Sequence, residues 1–228
     1  YMKYDDTLSG IILNGYGGIA FETNGTNERL RIDSSGRVLI NRTSSRAIAG
    51  DNAKLQIENP SSGLLTLLRT SNDGDAAYLA IAKSRSAAGA ACQSGDEIGR
   101  VTFVPHDGTD LNHHAAEIRG YVDTGIGSND TPGYLTFHTN AGTTTTTERL
   151  RIKSDGGMRL QKSDGNGNFT ISRNASVTTT DQPIGVIDFA SNTAHTVQAR
   201  VMGKTRGTSN VGGDLVFEAR ANGGRLDE

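Results

Sequence analysis

Five histidines, one cysteine and 25 carboxylates are the groups of this 228-residue chain with the means to hold a metal or move a proton. Their spacing speaks against most of that chemistry. The tandem His113-His114 is the strongest metal signal. Adjacent residues on a strand face opposite ways, so the pair cannot chelate one ion within a single chain. In a three-fold assembly one of them would converge on the axis and offer three imidazoles, a ligand set that suits a transition metal. The competing reading, and the commoner one, is an exposed loop. His106, His138 and His195 stand alone and read as surface residues. Asp5-Asp6, Asp96-Glu97 and the terminal Asp227-Glu228 are the adjacent carboxylates. Neighbours on a strand diverge again, which argues against a glycosidase-type acid and base. Gly15-Tyr16-Gly17-Gly18 has no strand-then-helix context for a phosphate, and no Gly-x-Ser-x-Gly elbow is present. Cys92, between Ala91 and Gln93, has neither a second cysteine nor a nearby base and reads as a small packing residue. We therefore expect no catalytic, cofactor-binding or metal residue, and read the chain as a non-enzyme.

The elements that carry these residues must be modest. Glycine is frequent at 29 residues, tryptophan is absent, and the apolar share of 34% lies below the usual ~45–50%. That is too little material for one large core, while a net charge of −2 and a mean hydropathy of −0.45 are not those of a disordered chain. Many short strands, each burying little and packing on neighbours, fit the composition. Balanced charge without a basic stripe argues against nucleic acid as a partner. No apolar run approaches the ~18–20 residues needed to cross a bilayer, so no membrane insertion is expected, and the N-terminus lacks a secretion-signal pattern.

Internal similarity is the most informative property. Glu28-Arg29-Leu30-Arg31-Ile32 recurs as Glu148-Arg149-Leu150-Arg151-Ile152, and each copy runs into a polar turn, Asp33-Ser34-Ser35-Gly36 or Lys153-Ser154-Asp155-Gly156. Upstream, Gly18 to Asn24 aligns with Tyr134 to Asn140, placing Phe21 on Phe137; the spacing to the motif grows by four residues in the threonine run Thr143 to Thr147. An expansion there marks an exposed loop. Gly213-Asp214-Leu215-Val216-Phe217 matches Gly133 to Phe137, which adds Phe217 to the set and places Glu228 on Glu148, so a longer protein is expected. Within the unit, Ile98 to Phe103 pairs with Ile184 to Phe189, Ala116 to Gly120 pairs with Ala199 to Gly203, and Leu64 to Arg69 corresponds more loosely to Asn168 to Arg173. Residues 1–50 then form the C-terminal part of a preceding β-module with its connection, 51–157 one complete module, and 158–228 most of a following one.

Nearly every repeated element alternates apolar and polar residues with period two, the mark of a strand with one buried face. Leu30 and Ile32 oppose Arg29 and Arg31, and Leu135 and Phe137 oppose Tyr134 and Thr136. Asn24-Gly25, Asp73-Gly74, Asp107-Gly108, Asp164-Gly165 and Asn222-Gly223 read as tight turns. Tyr78 to Ala82 suits a helix or a strand, and its context favours a strand. The expected fold class is all-β, built of repeated antiparallel sheet or sandwich modules. Such small one-faced sheets need a partner surface. The arginines of the motif lie on a solvated face or pair with an acid, Glu28 and Glu148 being the natural candidates, on a neighbouring strand or chain.

The phrase Glu28 to Val38, followed after a loop by Ala53-Lys54-Leu55-Gln56-Ile57, resembles a recurrent motif of bacteriophage tail fibre proteins. So does the order of an Ile-Gly-x-apolar-x-Phe strand, an Ala-x-Ile strand, a Gly-x-Leu-x-Phe strand and Glu-Arg-Leu-Arg-Ile. The resemblance implies a slender homotrimer in the virion, a shaft or arm that joins other tail or baseplate proteins and extends a host-recognition tip. It also implies a C-terminal chaperone domain in many such fibres; no segment here matches one. The motif copies depart from the usual Gly-Ile-Gly at Val38-Leu39-Ile40 and at Met158-Arg159-Leu160. Three other functions compete. Loops Asp73 to Gln93, Asp107 to His114 and Ala141 to Thr147 would carry binding to a host surface glycan or protein receptor, though Tyr78 is their one aromatic residue. A polysaccharide-degrading tailspike and a bacterial adhesin stalk are weaker readings; the second lacks a heptad stretch.

Overall fold

A computed structural model of the chain describes residues 2–5, 10–61, 64–162, 167–172, 180–191, 196–206, 212–220 and 226–227, with side chains described for all of these except 2–5, 10–12, 191, 196, 220 and 226–227. The fold is all-β, and no helix occurs among the described residues. It divides into two compact units, residues 1–165 and 166–228. In the first, β1 (Met2–Asp5) and β2 (Gly10–Leu13) form a hairpin. A four-stranded sheet follows from β3 (Gly18–Thr23), β4 (Asn27–Asp33), β5 (Val38–Ile40) and β6 (Leu55–Ile57), in that order, with β6 parallel to β5. A five-stranded antiparallel sheet comprises β7 (Glu97–Phe103), β8 (Ala116–Val122), β9 (Gly133–Thr139), β10 (Thr147–Ile152) and β11 (Met158–Leu160), each strand beside the one before it. The second unit is an antiparallel sheet of β12 (Pro183–Ser191), β13 (Thr196–Thr205), β14 (Gly213–Arg220) and β15 (Leu226–Asp227).

Alternation becomes rows across the sheets. In the five-stranded sheet Val101, Ile118, Phe137, Leu150 and Leu160 stand opposite one another, one from each strand. Phe21, Leu30, Ile40 and Ile57 form the matching row of the first sheet, and Ile187, Val201 and Phe217 that of the third. The motif strands share a further irregularity. A β-bulge between Glu148 and Leu150 leaves Arg149 without an opposite residue, and its counterpart leaves Arg29 so. Without the bulge a Glu and an Arg three residues apart would face opposite ways. The extra residue turns Glu28 onto the face of Arg31 and Glu148 onto that of Arg151.

Turns follow from local chemistry. Asn24 and Gly25 both adopt positive φ, 51° and 85°, and close the β3–β4 hairpin. The β9–β10 connection spans residues 140–146 against 24–26 in β3–β4, the four-residue difference read from the sequence. Gly36 and Gly156 occupy the same left-handed position in the turns after the motif, at φ 69° and 82°. Asp73-Gly74 and Asp107-Gly108 are not tight hairpins. Asp73 anchors an open bend in which its carboxylate accepts the Asp75 N–H, and Asp107 caps a long loop by accepting from Thr109 and Asp110. Asp164-Gly165, Asn222-Gly223, His195 and Glu228 lie outside the described residues.

The apolar rows find little cover in the chain itself. Much of each row stays accessible: Phe21 and Val101 are each 46% exposed and Leu160 48%. Leu39, Val122 and Met202 are the buried apolar residues among those described, whereas Phe103 is 53% and Leu135 45% exposed. Tyr78 to Ala82, expected as a strand, is extended but pairs with no strand of its chain among the described residues. Its Ile81 instead lies over Gly99, at the head of a row Gly99, Gly120, Leu135 on the apolar face. In the second unit Ile171 lies over Gly185, at the head of Gly185, Gly203, Leu215. By this seating Phe169–Ile171 corresponds to Leu79–Ile81, which corrects the pairing with Leu65–Leu67 read from residue character.

A side chain at either glycine would displace its isoleucine. A Cβ on Gly99 would lie 3.1 Å from the Ile81 Cβ, and one on Gly185 would lie 2.8 Å from the Ile171 Cβ. Gly99→Val is expected to cost about 1–3 kcal/mol through overpacking. Gly17→Val, at a glycine with open space around it, is the control. Denaturant midpoints of the two variants at equal protein concentration check this; equal midpoints would mean that Ile81 moves aside freely.

Candidate functional site

The opposite face of the five-stranded sheet gathers most of the titratable residues that alternation placed on it. Arg100, Arg119, Thr136, Arg151 and Arg159 form one row, from β7 to β11. Like charges directly opposite one another destabilise a sheet. Flanking rows resolve the conflict: Thr102, Glu117, His138 and Glu148 lie on one side, and Glu97, Tyr121 and Tyr134 on the other. Every arginine of the row then meets an acid. Arg100 contacts Glu97 and, at 3.3 Å, Glu117; Arg119 contacts Glu117 and, at 3.6 Å, Glu97; Arg151 and Arg159 reach Glu148 at 2.6 and 2.9 Å.

Glu117 is the hub. It is 2% exposed and accepts hydrogen bonds from Arg119, from the Thr146 hydroxyl of the β9–β10 loop and from Arg100, with His114 Nδ1 at 2.8 Å from its Oε1. Burial alone would raise its carboxyl, but the hydrogen bonds from Arg119, Thr146 and His114 outweigh burial and hold it down at about 2. Beside it His138 is half-buried, not a surface residue as its isolation suggested. Its Nε2 lies 2.9 Å from the Thr136 hydroxyl, its Nδ1 is buried without a partner, and burial followed by the charge of Arg119 lowers its pKa.

The two aromatic residues of this face engage each other. Tyr121 and Tyr134 stack at 5.0 Å with an 11° interplanar angle, and the Arg151 guanidinium covers Tyr134 at 4.4 Å. Tyr121 donates its hydroxyl to Glu97 at 3.1 Å. The surface is thus an ionic and aromatic layer in which His138 Nδ1 and Arg119 Nε are the buried polar atoms left without a partner among the described residues.

The motif residues play the same parts in both copies. Arg31 clasps Glu28 with both its Nε and a terminal nitrogen, and Arg151 clasps Glu148 with bonds of 3.0 and 2.6 Å. Hydrogen bonding to the arginine is the leading cause that lowers each glutamate's pKa. Arg29 and Arg149, the bulge residues, reach Thr23 and Thr139 Oγ1 at 2.8 and 3.0 Å. The acid that meets each second arginine therefore lies in the motif itself. Leu30, Ile32, Leu150 and Ile152 face the apolar side with Phe21 and Phe137, and Phe217 takes the equivalent row position in the third sheet.

The histidine pair is split between two carboxylates. His113 Nδ1 lies 3.3 Å from Asp107 Oδ2, while His114 joins Glu117. Asp107, Asp110 and His113 hold one potential ligand atom each within 4.8 Å of one another, but Asp107 Oδ1 and both oxygens of Asp110 already accept hydrogen bonds from the same loop. Cys92 directs its thiol to the Lys83 carbonyl at 3.3 Å.

Glu117 as a hub was not recognised in the sequence. Its signal was available in the alternation Glu117, Arg119, Tyr121 of β8; what brings Arg100, His114 and Thr146 to it is the register of three strands.

Solved structures share this fold, among them two of one phage tail fibre domain. The carboxy-terminal domain of the bacteriophage T5 L-shaped tail fibre aligns with a TM-score of 0.51 over 72% of this chain and 72% of that one, at 13% identity. The same domain with its intra-molecular chaperone domain gives 0.52 over 76% of this chain at 15% identity, and this chain spans about half, 55%, of its length. The likeness is one of fold. No family model and no curated protein matches the sequence.

Proposed function

We propose that this chain is a structural component of a phage tail fibre, a homotrimeric shaft or arm of the virion that joins other tail or baseplate proteins and extends a host-recognition tip. Segments 1–50, 51–157 and 158–228 are its successive modules, and β6 ties the first to the second by adding to the edge of the sheet before it. The repeated residues Glu28 to Ile32, Glu148 to Ile152, Phe21, Phe137 and Phe217 are structural in this reading. The glutamates and arginines shape the bulged strand, and the leucines, isoleucines and phenylalanines meet other copies.

The observation that carries the proposal is the bare apolar row. Val101, Ile118, Phe137, Leu150 and Leu160 run unbroken across the sheet, and Val101, Ile118 and Leu160 stay exposed while Phe137 and Leu150 are half-buried. Contiguous apolar surface of this kind marks an interface. The opposite face has its charges paired and its rings covered, which suits the outside of a shaft better than a ligand pocket. The fold shared with a phage tail fibre domain gives the assembly its context.

Light scattering coupled to size exclusion is expected to return three times the 24.1 kDa chain mass. A stable, monodisperse monomer would overturn the proposal.

A further inference from the structure

Residues 64–83 are the part of the central module that its own sheets do not explain. Leu64 to Thr70 and Ala76 to Ala82 run extended on either side of a bend, and among the described residues no backbone–backbone hydrogen bond begins or ends between Leu64 and Ser84. The side chains belong in a core. Leu68 is 81% and Tyr78 84% exposed, and Leu65, Leu67 and Leu79 are more than half exposed. Connections of this length without structure are uncommon inside compact domains. An exposed apolar strand with open backbone groups is a template for pairing with another chain.

The bend is nevertheless built. Arg69 is bound to Asp73 and donates to the Asp75 carbonyl at 2.9 Å, and Ser71 donates to Asp73 at 2.6 Å. At the far end Ile81 is seated over Gly99 on the apolar face of the sheet. The two segments are thus joined at a built bend, the second is also anchored at its far end, and they stand apart across a trough of about 740 Å³, with Thr66, Leu67 and Leu68 on one wall and Ala76, Ala77 and Tyr78 on the other. Arg69 and Asp75 line the trough at the bend, and the rest of its lining is uncharged.

We propose that the 64–83 arm is a β-pairing element whose occupant is a second copy of this chain: one extended segment of the neighbouring copy's arm enters the trough and forms ladder hydrogen bonds with its walls. Three observations favour a second copy over an unrelated partner. The trough opens from residues whose anchor, Ile81, lies on the same apolar face that leaves Val101, Phe103 and Leu135 bare, so both surfaces are covered by one assembly. The segment around Phe169 repeats the arrangement in the second unit, extended, exposed and anchored by Ile171 on Gly185. The strand required is apolar, extended and unpaired, and each copy already owns one. The pairing is head to tail and closes into a ring about a three-fold axis.

This inference rests on the trimeric reading, and the experiment separates the two. Hydrogen–deuterium exchange is measured by mass spectrometry on the full chain, after its mass in solution is fixed by light scattering. The amides of 64–70 and 77–82 are expected to exchange at least about 100-fold more slowly than in an unfolded chain. Benzoylphenylalanine in place of Leu68 is expected to yield, on irradiation, a band of twice the chain mass on a denaturing gel, with the cross-link mapping to 64–83 of a second copy. A trimer in which these amides exchange at unfolded rates, or in which the probe reacts only within its own chain, overturns the pairing and leaves the trimer standing. A monomer overturns both.

Discussion

Glu117→Ala is expected to lower stability by about 3–5 kcal/mol, the cost of breaking a buried ionic cluster from one side. The reason is the company that the carboxylate keeps. Its two oxygens receive Arg119, Arg100 and Thr146, with His114 alongside, and among the described residues no other acid reaches Thr146 or His114. Removing it leaves two guanidinium groups in a row of four arginines with Glu97 as their remaining counter-charge. Glu117→Gln keeps the shape and one acceptor oxygen and is expected to cost less, about 2 kcal/mol, because the arginines keep an acceptor and lose only its negative charge. Acid should reproduce part of the effect. The folded carboxyl is held at about 2 against an ordinary 4.5, so its contribution is fully present above pH 4.5 and is lost as the pH falls through 2. Glu28 and Glu148, both lowered by their arginines, add to stability with the same sign. Denaturant midpoints from pH 6 to 2, at one protein concentration, should fall for the wild-type protein and fall less for Glu117→Gln. Parallel curves for the two proteins would remove Glu117 from the hub.

The polar face also shows how far the sequence could be read. Period-two alternation identified the strands, because a one-faced sheet writes its pattern directly into each of them. The four-residue expansion in the threonine run located the longer hairpin loop for the same local reason. The bulge at Arg29 and Arg149 was not legible. Nothing in Glu-Arg-Leu-Arg-Ile announces an extra residue, yet the bulge decides that Glu28 and Glu148 meet Arg31 and Arg151 of their own strands, while Arg159 of the neighbouring strand also reaches Glu148. Cross-strand rows were hidden as well. Arg100, Arg119, Arg151 and Arg159 are scattered over sixty residues of sequence, and only register lines them up. Tyr78 to Ala82 shows the reverse failure. Its residues have every local property of a strand, but a strand needs a partner ladder, and none of the described strands of this chain supplies it. Sequence reports what a segment is suited to pair with; it does not say on which copy the partner lies.

Phe137→Asp is expected to abolish assembly, and it tests the surface on which the functional proposal stands. Phe137 lies at the middle of the row Val101, Ile118, Phe137, Leu150, Leu160, and its strand β9 is the central one of the sheet. Burying a phenylalanine side chain contributes about 1.5–3 kcal/mol, and a carboxylate in its place brings a desolvation cost of several more. A trimer carries the change three times, so the total exceeds what most assemblies can lose. Within a single chain the same change costs less, because Phe137 is only half-buried there. The two cases give opposite results on one sample. If the apolar face is the contact between copies, light scattering will show a monomer whose circular dichroism still reports β structure. Phe137→Leu, which keeps an apolar side chain, should retain the trimer with a reduced melting temperature. If Phe137→Asp assembles as well as the unaltered chain, the copies meet elsewhere. The ionic face, with its balanced arginine row, would then be the surface turned inward.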